Sequence, residues 1–297
     1  MFKRYLLLVF SFILVACGSN GGGGKNLTPD NTSTVIFEHN GLQRSALIYP
    51  PEGYDSSFAL PVVLNFHGFS GIAQDHRTTV SMDRVADSAQ FLLVFPQGSL
   101  LDSDSPHWNN ALPSPDNKSD ADDLGFVSAL LAYLDTTFLI DRERVYACGY
   151  SNGGMMSYAL ACYLSNEIAA VASMSGCFSD TSSTCQPSHP LATLSIHGTN
   201  DGVIPYEGGE DILSQQVTLK YWAGINNSNE APQVTSIQTS SYQLEHYSYT
   251  GGDSNVVAEL YKVIGGDHYW IDFTIDQKNT NWIIWEFFDQ FDIYGRR

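Results

Sequence analysis

Basic residues are scarce in this chain. Fourteen lysines and arginines stand against 32 aspartates and glutamates, for a net charge of −18 over 297 residues. Nucleic acids and other polyanions need a basic surface, so they are excluded as partners. A neutral substrate fits this balance, as does plain solubility. Cysteine is also sparse, at five residues. With the eight histidines it forms no cluster at ligand spacing, so neither a metal nor a cofactor is expected. No apolar run is long enough to span a bilayer, and no internal repeat breaks the chain into modules. What remains is a chain of one-domain length with 43% hydrophobic residues, enough for a sizeable core.

The longest apolar run, Tyr5 to Val15, follows Lys3 and Arg4 and ends in Leu14-Val15-Ala16-Cys17. Charged start, short apolar stretch and small residues read as an export signal. The end resembles a bacterial lipobox, which implies lipidation of Cys17 and an anchor at the outer membrane or cell surface. Cleavage without lipidation is the alternative. Residues 18–32 are rich in Gly, Ser and Asn and read as a flexible tether, leaving 33–297 as the folded domain. Export favours disulfides. Cys177 and Cys185 bracket a short polar loop and are expected to pair, whereas Cys148 and Cys162 lie in apolar segments and read as packing residues.

Strand and helix patterns alternate along the domain. Thr34–Glu38 and Leu42–Tyr49 flank Asn40-Gly41, a hairpin signal. Pro61–Phe66, Phe91–Phe95, Val145–Gly149, Ala169–Ser173, Leu191–Ile196 and Val256–Ile264 read as buried strands. Helices are expected over Val80–Ala89, Asp122–Phe138, Ile212–Trp222 and Asn281–Phe291. This order predicts an α/β fold, a mainly parallel doubly wound sheet with the N-terminal hairpin as an antiparallel edge. The stretch Pro232–Tyr249 has room for an extra strand that the pattern does not place.

Between the strand at Val145 and the next helix stands Gly149-Tyr150-Ser151-Asn152-Gly153. This G-x-S-x-G spacing is that of a nucleophile elbow, in which a sharp turn exposes a serine and the glycines let strand and helix pass closely. A serine needs a base, and the base needs an orienting acid. In the α/β-hydrolase order these follow as acid, then histidine. His268 comes after the last strand and before the last helix. Asp201 lies in the loop after Leu191–Ile196. Both stand at strand ends, where ligand groups gather in open α/β sheets. Ser151, Asp201 and His268 are therefore the candidate nucleophile, acid and base. His197, His189 and His246 read as packing, loop and exposed residues respectively, and Glu207, Glu210 and Asp211 as solvated acids before a helix. Backbone N–H groups of Asn152 and of Phe69, in His67-Gly68-Phe69, are the candidate oxyanion donors.

Here the chain resembles the extracellular polyhydroxybutyrate-depolymerase-type esterases, which include feruloyl and acetylxylan esterases. The likeness rests on Arg144–Tyr158 around the elbow, His67-Gly68, Trp108-Asn109, Asp123–Phe126, His197–Tyr206, Tyr221-Trp222-Ala223 and Gly265–Trp270. It runs collinearly over about residues 35 to 290. It implies an α/β-hydrolase fold, the Ser151–Asp201–His268 set, and carboxylic ester hydrolysis without a cofactor. Where the family often has glycine this chain has Asp267, and where it often has proline this chain has Ile271. Trp108, Tyr269 and Trp270, with Phe69, are candidate pocket walls for a phenolic acyl group or a sugar face; ordinary packing is the other reading. The acidic loop 101–123 lacks the ligand spacing of a calcium loop and reads as solvated surface. A non-catalytic surface binding protein on a hydrolase scaffold is the competing class.

Overall fold

The computed structural model describes residues 31–297 apart from 102, 113, 115–116, 179–184 and 211. The expected export signal, Cys17 and nearly all of the expected tether lie outside the described residues. No helix among the described residues is long and apolar enough to cross a membrane.

One ten-stranded sheet organises the domain. We number only its strands: β1 Ser33–His39, β2 Leu42–Tyr49, β3 Leu60–Phe66, β4 Leu92–Gln97, β5 Ile140–Tyr150, β6 Ala170–Met174, β7 Ala192–Gly198, β8 Gln233–Gln238, β9 Gln243–Tyr249 and β10 Ala258–Val263. Their order across the sheet is β1-β2-β4-β3-β5-β6-β7-β10-β9-β8. The centre, from β4 to β10, is parallel throughout. Hairpins add antiparallel strands at both sides, β1–β2 on one and β9–β8 on the other. This is the α/β-hydrolase fold with its antiparallel N-terminal hairpin.

The burial patterns follow from this placement. Every residue of β3 is buried, as a strand covered on both faces requires. In β1 and β2, Val35, Phe37, Ala46 and Ile48 turn inward while their neighbours alternate outward. Asn40 and Gly41 both adopt positive φ, 50° and 79°, which the tight hairpin turn demands. The β8–β9 hairpin occupies the stretch the pattern could not place. β8 is exposed at nearly every position, so it has no apolar face to betray it.

Helices α3 (Asp123–Thr137), α4 (Asn152–Tyr163) and α5 (Gln215–Ile225) bury Phe126, Leu130, Met156, Leu160, Leu219 and Trp222 in one core layer. Helices α1 (Ala73–Val80), α2 (Asp83–Ala89) and α6 (Thr280–Phe288) bury Val80, Val85, Ile284 and Phe288 in the other. Each such apolar side chain contributes about 1.5–3 kcal/mol on burial. The helix expected over 80–89 is α2, at Asp83–Ala89, and Val80 is the last residue of a separate helix, α1. Ser81 takes a left-handed conformation (φ 51°, ψ 45°) that ends α1, and α2 begins after the buried Met82. Helix α5 starts at Gln215 rather than Ile212, because the Ser214 side chain caps it by accepting from Val217 N–H.

The acidic loop is only partly solvated. Asp122 caps α3 by accepting from Gly125 N–H. Asp123 is buried against Arg44, and the guanidinium also lies 3.9 Å over the Phe126 ring. Asp102 and Asp116 lie outside the described residues.

The expected Cys177–Cys185 disulfide is corrected. Cys185 bonds Cys162 across a sequence separation of 23, and Cys177 is a free, buried thiol. The last turn of α4 presents Cys162 to the chain that leads into β7, a neighbour in space that loop length does not reveal. A loop of this size gives about 3 kcal/mol of stabilisation.

Candidate active site

β5 ends at Tyr150 and α4 begins at Asn152, so Ser151 alone makes the turn. Its backbone stands at φ 54°, ψ −117°, a conformation costing on the order of 1–3 kcal/mol for a non-glycine residue. The surroundings hold it there. Ser151 N–H donates to Met174 O at 2.9 Å, and Met155 N–H donates to Ser151 O at 3.0 Å. The glycines are steric necessities. A Cβ on Gly149 would stand 2.4 Å from the Gly153 carbonyl, and one on Gly153 would stand 2.1 Å from Phe66 O.

Asp201 and His268 come from loops after β7 and β10, adjacent parallel strands. Those loops are zipped together. Thr199 N–H donates to Val263 O, Asn200 N–H to Gly266 O at 2.8 Å, and Gly265 N–H to the Thr199 hydroxyl at 2.9 Å. His268 is fixed through its backbone as well. Its carbonyl accepts from the Tyr150 hydroxyl at 2.9 Å, and its N–H donates to Asp267 Oδ1 at 2.7 Å. The structure thus brings the three distant residues together. His268 Nε2 lies 3.0 Å from Ser151 Oγ, and His268 Nδ1 lies 2.8 Å from Asp201 Oδ2.

The Asp201 carboxylate is enclosed. Burial works to raise its pKa, but donors from His197, His268, Ile204 and Val203 outweigh this and hold it well below the usual carboxylate range. Val203 and Ile204 N–H groups both reach Oδ1, at 2.9 and 2.8 Å. A permanently ionised acid facing a histidine that touches a serine hydroxyl can accept, store and return one proton.

The chain after β3 faces the elbow. Phe69 N–H and Asn152 N–H have no acceptor among the described residues. The loop that carries Phe69 is braced from below. His67 Nδ1 donates to Gly68 O at 2.7 Å, which leaves Nε2 to accept from Gly98 N–H at 2.9 Å. Burial pushes the His67 pKa down to about 4, so the ring is neutral and this tautomer is stable near neutral pH. Trp108 Nε1–H donates to His67 O at 2.9 Å, and the Asn152 side chain exchanges two hydrogen bonds with the Trp108 backbone.

Trp108 is therefore corrected as a pocket wall. It is fully buried, edge-on to Phe66, and ties the two oxyanion-candidate segments together from behind. Trp270 is half-buried against His76 and donates its indole N–H to Asn281. Tyr269 and Phe69 remain exposed, at 41% and 48%, and can meet a ligand. The Tyr269 hydroxyl is hydrogen-bonded to that of Tyr242, at the tip of the β8–β9 hairpin. Beside α4 lies a cavity of about 270 Å³ lined by Met155, Ala159, Cys177, Phe178 and Asn110 among others. His246, expected to be exposed, is half-buried, stacked on Tyr261 and 3.0 Å from Glu259. For His67 and His197 the sequence announced the place but not the contacts, His67 with Gly68 O and Gly98 N–H and His197 with Ile204 O. Each stands at the C-terminal end of a strand next to a glycine, a signal that could have marked them.

Fold and site geometry define a hydrolase of the α/β class. The Esterase family profile matches residues 40–274. "Probable feruloyl esterase C" of Aspergillus terreus is 29% identical over 277 residues, 89% of this chain and 94% of that one. Feruloyl esterase B of Piromyces equi is 26% identical over 84% of this chain and 46% of its own length. Among solved structures, acetyl xylan esterase from Aspergillus awamori superposes with a TM-score of 0.57 at 16% identity, covering 94% of this chain and 99% of that one. The chain belongs to the esterase family, within its feruloyl-esterase-type α/β-hydrolases, and is a carboxylic ester hydrolase.

Proposed function

We propose that this protein is an exported, lipid-anchored serine esterase that releases feruloyl groups from plant-polysaccharide fragments by two-step acyl transfer. The observation that carries the mechanism is the unbroken line from Ser151 Oγ through His268 to Asp201, at 3.0 and 2.8 Å. Ser151 attacks the ester carbonyl as His268 Nε2 takes its proton. Asp201 orients His268 and stabilises the imidazolium. Phe69 and Asn152 N–H groups receive the oxyanion. His268 returns the proton to the leaving alcohol. Water, deprotonated by His268, then frees the acid and restores Ser151.

The relatives' names favour a feruloyl substrate, and the cavity beside α4, on the small side for a ligand site, is of a size for one aromatic acyl group rather than a polymer. Met155, on that cavity's wall, lies one helical turn after Ser151. A fluorophosphonate probe is expected to label Ser151; a folded wild type that does not label is a binding protein, not a serine esterase. Hydrolysis of methyl ferulate is expected to exceed that of acetylated xylooligosaccharides and of hydroxybutyrate oligomers. Comparable weak rates on all three would refute the feruloyl assignment. The anchor rests on Leu14–Cys17, and palmitate incorporation is expected to vanish in Cys17→Ala.

A further inference from the structure

His197 is the second-to-last residue of β7, four residues before Asp201, and its side chain is fully buried. Its Nε2 lies 2.8 Å from the Ile204 carbonyl oxygen. A carbonyl only accepts, so Nε2 carries the ring's proton. The same Nε2 lies 3.2 Å from Asp201 Oδ2. That is the oxygen facing His268 Nδ1 at 2.8 Å. One carboxylate oxygen thus stands between two imidazoles, the nearer one facing Ser151. Ile204 closes the circuit, since its N–H donates to Asp201 Oδ1 at 2.8 Å while its carbonyl takes the His197 proton. His197 Nδ1 has no hydrogen-bond partner among the described residues. The ring's polar ties therefore all run to the acid and its loop. As mere filling, a buried imidazole with one unpaired nitrogen is a worse choice than phenylalanine.

We infer that His197 is a positioning residue for ester hydrolysis, acting through Asp201. It fixes the carboxylate plane and draws part of the charge on Oδ2 away from His268. This rests on the Ser151–His268–Asp201 reading. The longer, shared contact at 3.2 Å suits tuning, because it moderates the acid without displacing His268 from the shorter one. The other titratable groups around the pair are distinct from it. Tyr206 stands edge-on to His197 at 6.1 Å, with Lys262 over its ring and Glu245 bonded to Lys262. On the other side, Asp267 and Tyr150 hold the His268 backbone, and burial pushes the Cys177 thiol up to about 11.

Two variants separate tuning from filling. His197→Phe keeps ring volume and removes the N–H; His197→Gln keeps an N–H at the position of Nε2. Both are compared with wild type on methyl ferulate, per active site counted by fluorophosphonate titration. In His197→Phe the carboxylate acts on His268 alone, so the imidazolium is stabilised more. The acid limb of kcat/KM is expected to move up by about half a pH unit. With the carboxylate less well held, kcat is expected to fall about tenfold and KM to change less than about twofold. His197→Gln is expected to restore both limb and kcat. Wild-type kcat with an unmoved limb in His197→Phe overturns the inference. So does equal impairment of both variants with an unmoved limb, which marks His197 as filling only. If His197→Phe does not fold, nitrogen NMR of histidine-labelled wild type decides: the Nε2–H tautomer at His197 is required, and Nδ1–H overturns it. Failure of the underlying serine reading shows separately, as turnover retained in Ser151→Ala.

Discussion

Two aspartates are buried among the described residues, Asp123 and Asp201, and they differ in how their charge is held. Asp123 faces Arg44 at the start of α3, with Asn109 N–H as its other donor. Burial pushes its pKa up, and the Arg44 partner does not fully offset that. Asp201 has no full positive charge beside it. Two backbone N–H groups and two imidazoles hold it instead, and its pKa goes down. Oriented dipoles, fixed by a short loop, can stabilise a buried carboxylate better than one buried cation that must itself be desolvated. Asp123 ties β2 to α3; Asp201 faces the imidazole that touches the Ser151 hydroxyl.

The contrast is sharpest where function is removed outright. Ser151→Ala is expected to lower kcat on an activated ester by about 10⁶-fold while leaving the fold intact, as read by circular dichroism. Asp201→Asn keeps the shape but misdirects the His268 tautomer, and kcat is expected to fall about 10⁴-fold. Asp123→Asn should behave in the opposite way. It leaves Arg44 as an uncompensated buried charge, so unfolding in urea should show a loss of about 3–5 kcal/mol. Its kcat per active site is expected to stay within about threefold of wild type, because the change is remote from the hydroxyl–imidazole pair. An Asp123→Asn enzyme with full stability and lost turnover would break the comparison.

The smallest effect is in pH. The folded pKa of Asp201 lies below its ordinary value of 3.8. The stability its ionised form contributes is therefore present above 3.8 and lost as the pH falls through the folded value. As the pH falls below about 4, the difference in melting temperature between wild type and Asp201→Asn should shrink. A difference that keeps growing as the pH falls below about 4 would contradict the hydrogen-bonded carboxylate.

Much of this molecule was legible locally. Asn40-Gly41 announces its hairpin because both residues must take positive φ. The continuous apolar runs of β3 and β4 announce central parallel strands because both their faces are covered. Gly149 and Gly153 announce the elbow because no Cβ fits between strand and helix. The remainder was hidden for equally definite reasons. β8 carries no apolar alternation because it lies at an edge facing solvent. Trp108 resembled a pocket aromatic, yet its indole N–H is committed to His67 O beneath the elbow. Cys185 has Cys177 as its near neighbour in sequence but Cys162 as its neighbour in space.

The sequence by itself determined the class of fold and the serine's turn, because these follow from steric and apolar demands a few residues long. It also determined the order of the candidate nucleophile, acid and base along the chain. Only the tertiary structure decided what supports them. The pairing of Cys162, the brace of His67 and Trp108, and the place of His197 against Asp201 all depend on which strand ends lie side by side. That adjacency is set by the packing of the whole sheet, and no local pattern encodes it.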